Sequence, residues 1–378
     1  MIEYRKLDEI CNIIMGQSPD SKSYNYEGLG LPFFQGNADF GDMYPTKRVW
    51  CTLPTKVVEP NTLLISVRAP IGALNFSNEP SCIGRGLAGI VPKESINLKY
   101  VYYCLRHKNT ELNSKGTGST FKAISKSALA EIKIKVVSKD RQAEIVTTLD
   151  DVTQIIKYRK QQLEQLDLLT KSRFVEMFGD PETNPLGWRQ AMLNDVCSSI
   201  VRGPFGSALK KEYFVEPNET TYKVYEQKHA IQKAVDIGTY YISSEKFKEL
   251  RRFECKSGDI LMSCSGTLGE LYQLPDNCEK GIINQALCKF TLNEKISPAV
   301  FLEYMEQTIG NLETKGSGIK NIGAVSYVKA MQIYLPPIEL QNKFAQFVEQ
   351  VEKSKTQVQK SLDEAQLLFD SLMQEYFG

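Results

Sequence analysis

The chain repeats itself at an interval of about 200 residues, which is the feature that most limits how it can fold. The segment ending in Phe178-Gly179 returns, 199 residues later, as the segment ending in Phe377-Gly378. Lys115-Gly116-Thr117-Gly118 returns as Lys315-Gly316-Ser317-Gly318 at an offset of 200, and Leu64-Ile65-Ser66 as Leu261-Met262-Ser263 at 197. Loop insertions explain such small changes in offset. The 378 residues are therefore predicted to form two copies of one unit.

Each copy has two parts of different character. The first part mixes short β-branched and aromatic runs with Gly, Pro, Asn and Ser, and a few helical stretches, which predicts a compact α+β domain. The second part, residues 141–178 and 338–378, contains no proline, and no glycine before Gly378. Such a composition predicts one long helix in each copy.

Apolar residues in both predicted helices recur at alternating spacings of three and four, the pattern of a coiled-coil seam. The seam residues are Leu149, Val152, Ile156, Leu163 and Leu166 in the first helix, and Val348, Val351, Val358, Leu362 and Phe369 in the second. Arg159 and Lys355 interrupt it. Either their stems lie along the seam while the charges reach water, or they fix its register.

Two equivalent units pair most simply about a two-fold axis, which makes their helices antiparallel. We therefore expect an α+β fold with an internal pseudo-two-fold repeat, in which a long antiparallel two-helix coiled coil separates two globular domains. The alternative is that each apolar stripe packs its helix onto its own domain. The predicted segments are a first domain (1–140), a central helix (141–178), a linker (179–187), a second domain (188–337) and a distal helix (338–378).

The overall charge gives no argument for binding nucleic acid or an anionic membrane, because 46 Lys plus Arg oppose 45 Asp plus Glu. Residues 1–140 carry 18 basic and 13 acidic side chains, residues 181–337 carry 18 of each, and the helical segments 141–180 and 338–378 carry 10 and 14. Any basic surface must therefore be local.

Several classes of site and location are disfavoured. No apolar run approaches the roughly 18 to 20 residues of a membrane helix, and the first residues lack a signal peptide's apolar stretch, so a cytoplasmic location without membrane contact is expected. Nine cysteines without Cys-x-x-Cys spacing argue against a disulfide framework. With only His107 and His229, no zinc site and no histidine base are expected. A phosphate-binding G-x-x-x-x-G-K-[ST] loop is also missing.

The repeated domain plus long helix resembles the DNA-specificity subunit of type I restriction-modification enzymes over essentially the whole chain. The resemblance includes Phe178-Gly179-Asp180-Pro181 and Asn184-Pro185-Leu186-Gly187-Trp188 after the first helix, and Pro336-Pro337-Ile338-Glu339-Leu340-Gln341 before the second. It also includes the Lys-Gly-Thr/Ser-Gly turns and Arg202-Gly203-Pro204-Phe205-Gly206-Ser207. The first copy departs from this pattern, with Val137-Ser138-Lys139 where the proline pair is usual.

This resemblance implies a non-catalytic chain with two target-recognition domains, each reading one half of a split, asymmetric site in double-stranded DNA. It implies two modification subunits, which bind S-adenosylmethionine and methylate adenine N6, and restriction subunits that use ATP and Mg. No cofactor is expected on this chain, and the Asn/Asp-Pro-Pro-aromatic motif of amino-methyltransferases is missing from it. Two other hypotheses stay open: a protein scaffold that does not bind DNA, and an enzyme whose site lacks a recognisable motif.

Candidate DNA contacts are Lys and Arg for phosphates, and amide, hydroxyl and basic groups for base edges. In the first domain they are Gln35, Asn37, Arg68, Lys115, Thr117, Ser119 and Lys122. In the second they are Arg202, Phe205, Ser207, Lys210, Tyr225, Gln227, Lys228, Ser263, Ser265, Thr267, Lys315, Ser317 and Lys320. Each group also has a structural interpretation, as a glycine-capped turn, a strand end or a solvated loop.

Overall fold

The computed structural model describes residues 3–93, 96–118, 122–205, 208–314 and 325–378. The chain divides into two compact units: unit 1 comprises residues 1–160 and 359–378, and unit 2 comprises residues 161–358. Each unit therefore contains one globular domain and one half of each long helix. The five predicted segments follow the order of the chain, whereas the two units follow its contacts.

Unit 1 is built from short strands and helices of mixed order, as expected for an α+β domain. Its strands are β1 (Glu3–Lys6), β2 (Cys11–Met15), β3 (Tyr24–Asn25), β4 (Leu31–Phe34), β5 (Trp50–Cys51), β6 (Val57–Val58), β7 (Leu63–Ser66), β8 (Leu74–Phe76), β9 (Ser81–Ile83), β10 (Leu87–Pro92) and β11 (Lys133–Val136). Its helices are α1 (Leu7–Ile10), α2 (Leu98–His107), α3 (Asn109–Ser114), α4 (Lys126–Ala130) and the first half of α5 (Lys139–Phe178).

Unit 2 repeats this plan. Its strands are β12 (Arg189–Met192), β13 (Cys197–Arg202), β14 (Phe214–Val215), β15 (Tyr222–Tyr225), β16 (Tyr241–Ile242), β17 (Glu254–Cys255), β18 (Ile260–Ser263), β19 (Leu271–Gln273), β20 (Gly281–Ile283), β21 (Leu287–Leu292) and β22 (Gln332–Leu335). Its helices are α6 (Leu193–Val196), α7 (Gln227–Gln232), α8 (Ser244–Glu249), α9 (Pro298–Thr314), α10 (Val325–Lys329) and the first half of α11 (Ile338–Phe377). The second half of α5 also belongs to unit 2, and the second half of α11 belongs to unit 1.

The sheets of the two units have the same strand order. Unit 1 has a β1-β11 pair, a four-stranded sheet β2-β10-β7-β8 and a five-stranded sheet β3-β5-β4-β9-β6. Unit 2 has β12-β22, β13-β21-β18-β19 and β14-β16-β15-β20-β17. In each five-stranded sheet one pair is parallel, β4 with β9 and β15 with β20. The internal repeat predicted from the sequence is thus a repeat of topology.

The central strands of the four-stranded sheets are buried on both faces. In β7, Leu63 and Ile65 join the main core of unit 1, whereas Leu64 joins a second cluster on the other face. In β18, Ile260 and Met262 likewise join the main core of unit 2, whereas Leu261 joins a second cluster. Because successive side chains of a strand point to opposite faces, such double burial produces the continuous apolar runs seen in the sequence.

The long helices run antiparallel in both units. In unit 1, Arg141 at the start of α5 lies over the ring of Tyr376 at the end of α11, 5.6 Å from its centroid. In unit 2, Phe174 near the end of α5 meets Phe344 near the start of α11, with ring centroids 5.5 Å apart. These pairs run in opposite directions along the two helices, which confirms the predicted orientation.

The predicted seam follows the burial of the helices. Leu149, Val152, Val351 and Phe369 are buried, and the other predicted seam residues are partly buried: Ile156, Leu163, Leu166, Val348, Val358 and Leu362. Lys355 reaches carboxylates on both helices, with its Nζ 2.7 Å from Asp167 and from Glu352. Burial alone would lower its pKa, but these two hydrogen bonds raise it.

The two long helices begin at Lys139 and Ile338 in equivalent ways despite different sequences. Ser138 stands before α5, where its Oγ accepts a hydrogen bond from the Arg141 N–H at 3.3 Å. Pro337 stands before α11, and its carbonyl accepts from the Gln341 N–H at 3.1 Å. A serine cap therefore replaces the proline pair in the first copy.

None of the described helices combines the length and apolar content needed to span a membrane.

Candidate nucleic-acid interface

Three predicted contact residues of unit 1 line one cleft of about 230 Å³: Gln35, Asn37 and Arg68. Arg85, which the sequence reasoning missed, lines it as well. The segment after β4 carries the two amides, the segment after β7 carries Arg68, and the segment between β9 and β10 carries Arg85. The cleft thus collects strand ends that are far apart in the chain.

Backbone hydrogen bonds hold these three segments together. The Gly84 N–H donates to the carbonyl of Phe34 at 2.8 Å, and the Val67 N–H donates to the carbonyl of Gly86 at 2.9 Å. A Cβ atom at Gly86 would overlap the carbonyl oxygen of Gln35, so only glycine fits there. The cleft is therefore part of the domain's framework.

Asp39 fixes the segment that carries Gln35 and Asn37. Its Oδ2 accepts hydrogen bonds from the backbone N–H groups of Gln35 at 2.7 Å and Gly36 at 3.2 Å. Its Oδ1 is paired with the Arg48 guanidinium at 2.5 Å. A carboxylate that binds two backbone donors and one cation holds a loop more firmly than neutral hydrogen bonds do.

The described part of the Lys115–Lys122 loop lies beside Arg68. Thr117 is exposed and exchanges two backbone hydrogen bonds of 2.9 Å with Ala123. The carbonyl of Lys122, whose side chain is exposed, accepts from the Ala69 N–H at 3.0 Å. Lys115 is partly buried and lies 3.6 Å from Glu111. The structure therefore brings Thr117 and Lys122 close to the cleft segments, whereas Lys115 pairs with Glu111 of the preceding helix α3.

Unit 2 repeats the framework with other side chains. The Asn284 N–H donates to the carbonyl of Tyr225 at 2.9 Å, and the Cys264 N–H to that of Ala286 at 2.7 Å, in the same places as in unit 1. By this correspondence Ser265 stands where Arg68 stands, and Gln285 where Arg85 stands.

The predicted residues Gln227, Ser265 and Thr267 come together on this framework. The Gln227 side-chain amide donates to the carbonyl of Ser265 and, at 3.1 Å, to that of Thr267. Lys228 is paired with Glu226 at 2.8 Å and lies over the ring of Tyr240. Gln227 therefore ties the start of α7 to the loop after β18, in which Thr267 is exposed.

Arg202 and Phe205 line a cleft of unit 2, of about 360 Å³. The Arg202 side chain is buried, lies 5.1 Å from the centroid of the Phe205 ring, and donates from Nε to the carbonyl of Gln285 at 3.5 Å. Phe205 itself is 63% exposed. Arg252 and Lys329 complete the cationic lining.

Two predicted contact residues are not compatible with direct contact to DNA, because both are fully buried. The Ser263 hydroxyl accepts a hydrogen bond from the Glu270 N–H at 2.9 Å and so stabilises the turn after β18. The Tyr225 hydroxyl donates to the carbonyl of Glu279 at 2.7 Å. Both are packing residues at strand ends.

The remaining predicted contacts lie at other places. Lys210 is exposed and lies 3.5 Å from Glu212. Ser119, Ser207, Lys315, Ser317 and Lys320 lie outside the described residues.

His229, one of the two histidines, is held inside unit 2 by hydrogen bonds to backbone groups. His229 is buried, its Nδ1 accepts a hydrogen bond from the Glu226 N–H at 2.9 Å, and its Nε2 lies 2.8 Å from the Ile237 carbonyl, to which it donates. Burial lowers its pKa, which favours the neutral ring that this acceptor role requires.

Across the described ranges no group of three or more His, Cys, Asp or Glu residues is placed to hold a metal ion. The expected lack of metal and catalytic sites stays a prediction.

Residues 2–167 and 185–365 each match the family model for the type I restriction modification DNA specificity domain. A segment of 165 residues is 42% identical to the putative type I restriction enzyme MjaX specificity subunit of Methanocaldococcus jannaschii, covering 43% of this chain and 39% of that protein. A segment of 220 residues is 26% identical to the MjaIX specificity subunit of the same organism, covering 51% of each. The chain thus spans between two fifths and about half of these relatives' length.

Solved structures add a fold similarity over the whole chain. The type I restriction-modification S subunit from M. genitalium has a TM-score of 0.60 over 100% of this chain and 96% of that chain, at 16% identity. The HsdS subunit from Thermoanaerobacter tengcongensis is 46% identical, with a TM-score of 0.38, and covers 40% of this chain and 37% of that chain. Since the specificity-domain model matches both halves of the chain, the protein belongs to the family of type I restriction-modification DNA specificity subunits.

Proposed function

We propose that this chain reads a bipartite, asymmetric site in double-stranded DNA, with one half-site for each unit. In this proposal it directs two modification subunits, which bind S-adenosylmethionine, to methylate adenine N6, and it directs restriction subunits that use ATP and Mg where these are present. The chain itself catalyses nothing and binds no cofactor. The predicted cytoplasmic location stays a prediction.

The observation that carries the proposal is that the two units hold different polar side chains on one hydrogen-bonded framework. The bonds Gly84 to Phe34 and Asn284 to Tyr225 are equivalent, yet Arg85 on the framework of unit 1 is replaced by Gln285 on that of unit 2. A duplicated scaffold with exchanged polar groups is what two readers of different sequences require, because base identity is read by side-chain donors and acceptors. A scaffold for one repeated protein partner would be expected to keep its contact residues.

Two half-site readers in one chain also explain why neither needs to bind tightly alone. Once one unit has bound its half-site, the other meets its own at a high effective concentration, so the two contacts reinforce each other. Duplexes that carry only one half-site are therefore expected to bind poorly.

Genome-wide mapping of methylated adenine, with and without the gene for this chain, tests the proposal. One bipartite motif should lose its methylation in the deletion strain and regain it when the gene returns. In a matched measurement, affinity of the assembled complex for a duplex with the mapped site should fall steeply as salt rises, because phosphate contacts release counterions. An unchanged methylation pattern, together with no duplex binding at any salt concentration, would favour the protein scaffold.

A further inference from the structure

Arg68 and Arg85 differ from the other arginines of unit 1. Within the ranges that the structure describes, neither forms an ion pair with a carboxylate or lies over an aromatic ring, and both are exposed where they line the same cleft. Every other arginine of the unit has a partner: Arg5 pairs with acids on both sides, Arg48 with Asp39, Arg106 with the Phe369 ring and Arg141 with Glu144, and Arg159 also interacts. Two guanidinium groups are thus held open in one place.

The two arginines share their cleft with side-chain amides. The same cleft is lined by Gln35 and Asn37, whose side-chain amides both donate and accept hydrogen bonds. A phosphate accepts hydrogen bonds only, so it has no use for amide oxygens. A base edge in the major groove presents donors and acceptors together. The mixed lining therefore favours bases over phosphates.

Unit 2 lacks the arginine pair at the equivalent positions. Ser265 and Gln285 stand in place of Arg68 and Arg85, on a backbone held by the same hydrogen bonds. At these two positions the units therefore differ in their recognition groups: unit 1 carries two guanidinium forks, whereas unit 2 carries a hydroxyl and an amide.

A guanidinium fork matches the O6 and N7 acceptors of guanine, the most common specific contact in the major groove. We propose that Arg68 and Arg85 read guanine, so that the half-site of unit 1 contains at least one G·C pair contacted by one of them. This inference rests on the proposed function and adds the base class that one unit recognises.

The test uses the full chain assembled with its modification subunits, carrying Arg68→Ala or Arg85→Ala. The probes are duplexes with the mapped site and a set in which each base pair of both half-sites is changed in turn. For at least one variant, the preference for guanine at one position of one half-site should fall about 5- to 150-fold, as for loss of one bidentate contact. Preferences at the other half-site should not change.

Two matched variants serve as controls. Arg5→Ala removes a positive charge from β1, which does not line the cleft, and should leave every preference unchanged. Gln285→Ala, at the position equivalent to Arg85, should alter only the other half-site and so assigns the half-sites to the units.

Each outcome decides the inference. Equal weakening on all duplexes by both arginine variants would mean that the arginines contact phosphates and would overturn it. A unit 1 half-site without a G·C pair would also overturn it, although the proposed function would stand. If the unaltered complex bound the mapped site no better than a scrambled duplex, the proposed function itself would fail.

Discussion

Gln142 and Gln341 hold the same backbone groups at the starts of the two long helices. The Gln142 Oε1 accepts a hydrogen bond from the Asn97 N–H at 2.9 Å, and the Gln341 Oε1 accepts one from the Ser297 N–H at 2.8 Å. Each Nε2 donates at 2.9 Å to the carbonyl five residues earlier, Val137 or Pro336. Both glutamines are buried, so each joins a long helix to the domain beside it.

Gln142→Ala and Gln341→Ala are each expected to lower the free energy of unfolding by about 1 to 3 kcal/mol, because each leaves buried backbone groups without a partner. Urea unfolding followed by circular dichroism measures the loss. Gln154→Ala and Gln350→Ala, on exposed positions of the same helices, are the controls and should change stability by less than about 0.5 kcal/mol. Equal effects at buried and exposed positions would contradict the assigned role.

Asp39→Ala is expected to relax base discrimination at the half-site of unit 1 about tenfold, since Gln35 and Gly36 lose the acceptor that orders their loop. Competition binding with single-base-changed duplexes measures it. Asp39→Asn keeps a side-chain oxygen and should recover part of the discrimination. Asp42→Ala, which removes an exposed pair with Lys157, should have no effect. Unchanged discrimination in Asp39→Ala would rule out a positioning role.

Lengthening both long helices should change the gap between the half-sites but not the half-sites themselves. Four residues inserted near Gln161 in α5 and four near Lys360 in α11 add about 6 Å to each helix, close to two base pairs at roughly 3.4 Å each. Methylation mapping with the variant chain reads the new gap.

Equal insertions are required because the helices are antiparallel. The Lys355–Asp167 ion pair within unit 2 and the Arg141–Tyr376 contact within unit 1 keep their register only if both helices gain the same number of residues. A single insertion is therefore the control and should impair methylation. Recovery of the original gap by the double insertion would show that helix length does not set it.

Acidification should destabilise the segment that follows β15. Burial lowers the pKa of His229 below its ordinary value of 6.5, so the unfolded chain takes up a proton first as the pH falls. The contribution of the neutral ring is complete above 6.5 and is lost as the pH falls through the lower pKa of the folded state. The free energy of unfolding, measured with urea, should therefore fall more between pH 7.5 and pH 5.5 in the natural chain than in His229→Gln. His107→Gln, in unit 1, is the control and should keep the loss of stability that depends on His229. An identical pH dependence in the natural chain and in His229→Gln would refute the assignment of this loss to His229.

The repeat could be predicted by comparing the sequence with itself, and the helical seam because its spacing is a local property of the sequence. Leu149 and Val152 are buried as the three-and-four spacing indicates, and no knowledge of the rest of the fold is needed to see it. Strand ends were harder to interpret. Tyr225 and Ser263 are polar residues next to glycine-rich or charged segments, yet their side chains point inward, and one position of register separates an inward from an outward residue.

The cleft of unit 1 shows what sequence reasoning could not supply. Gln35, Asn37 and Arg68 were each identified as candidates, but their convergence with Arg85 depends on the parallel pairing of β4 with β9, two strands about 50 residues apart. One signal was available. In Gly84-Arg85-Gly86 an arginine stands between two glycines, which is typical of backbone segments in close contact. The 200-residue repeat would also have shown that Arg85 and Gln285 occupy equivalent positions in the two copies.

The noncontiguous make-up of unit 1 has a consequence for the order of its synthesis. Phe369, Met373 and Phe377 of α11 are buried in the same core as Leu149 and Val152 of α5. A ribosome releases residues 359–378 only after all of unit 2 has emerged, so the core of unit 1 stays incomplete until these residues have followed. Nascent unit 1 should consequently expose an apolar helix face for the whole time unit 2 is being made, which marks that interval as the one in which chaperone binding matters most.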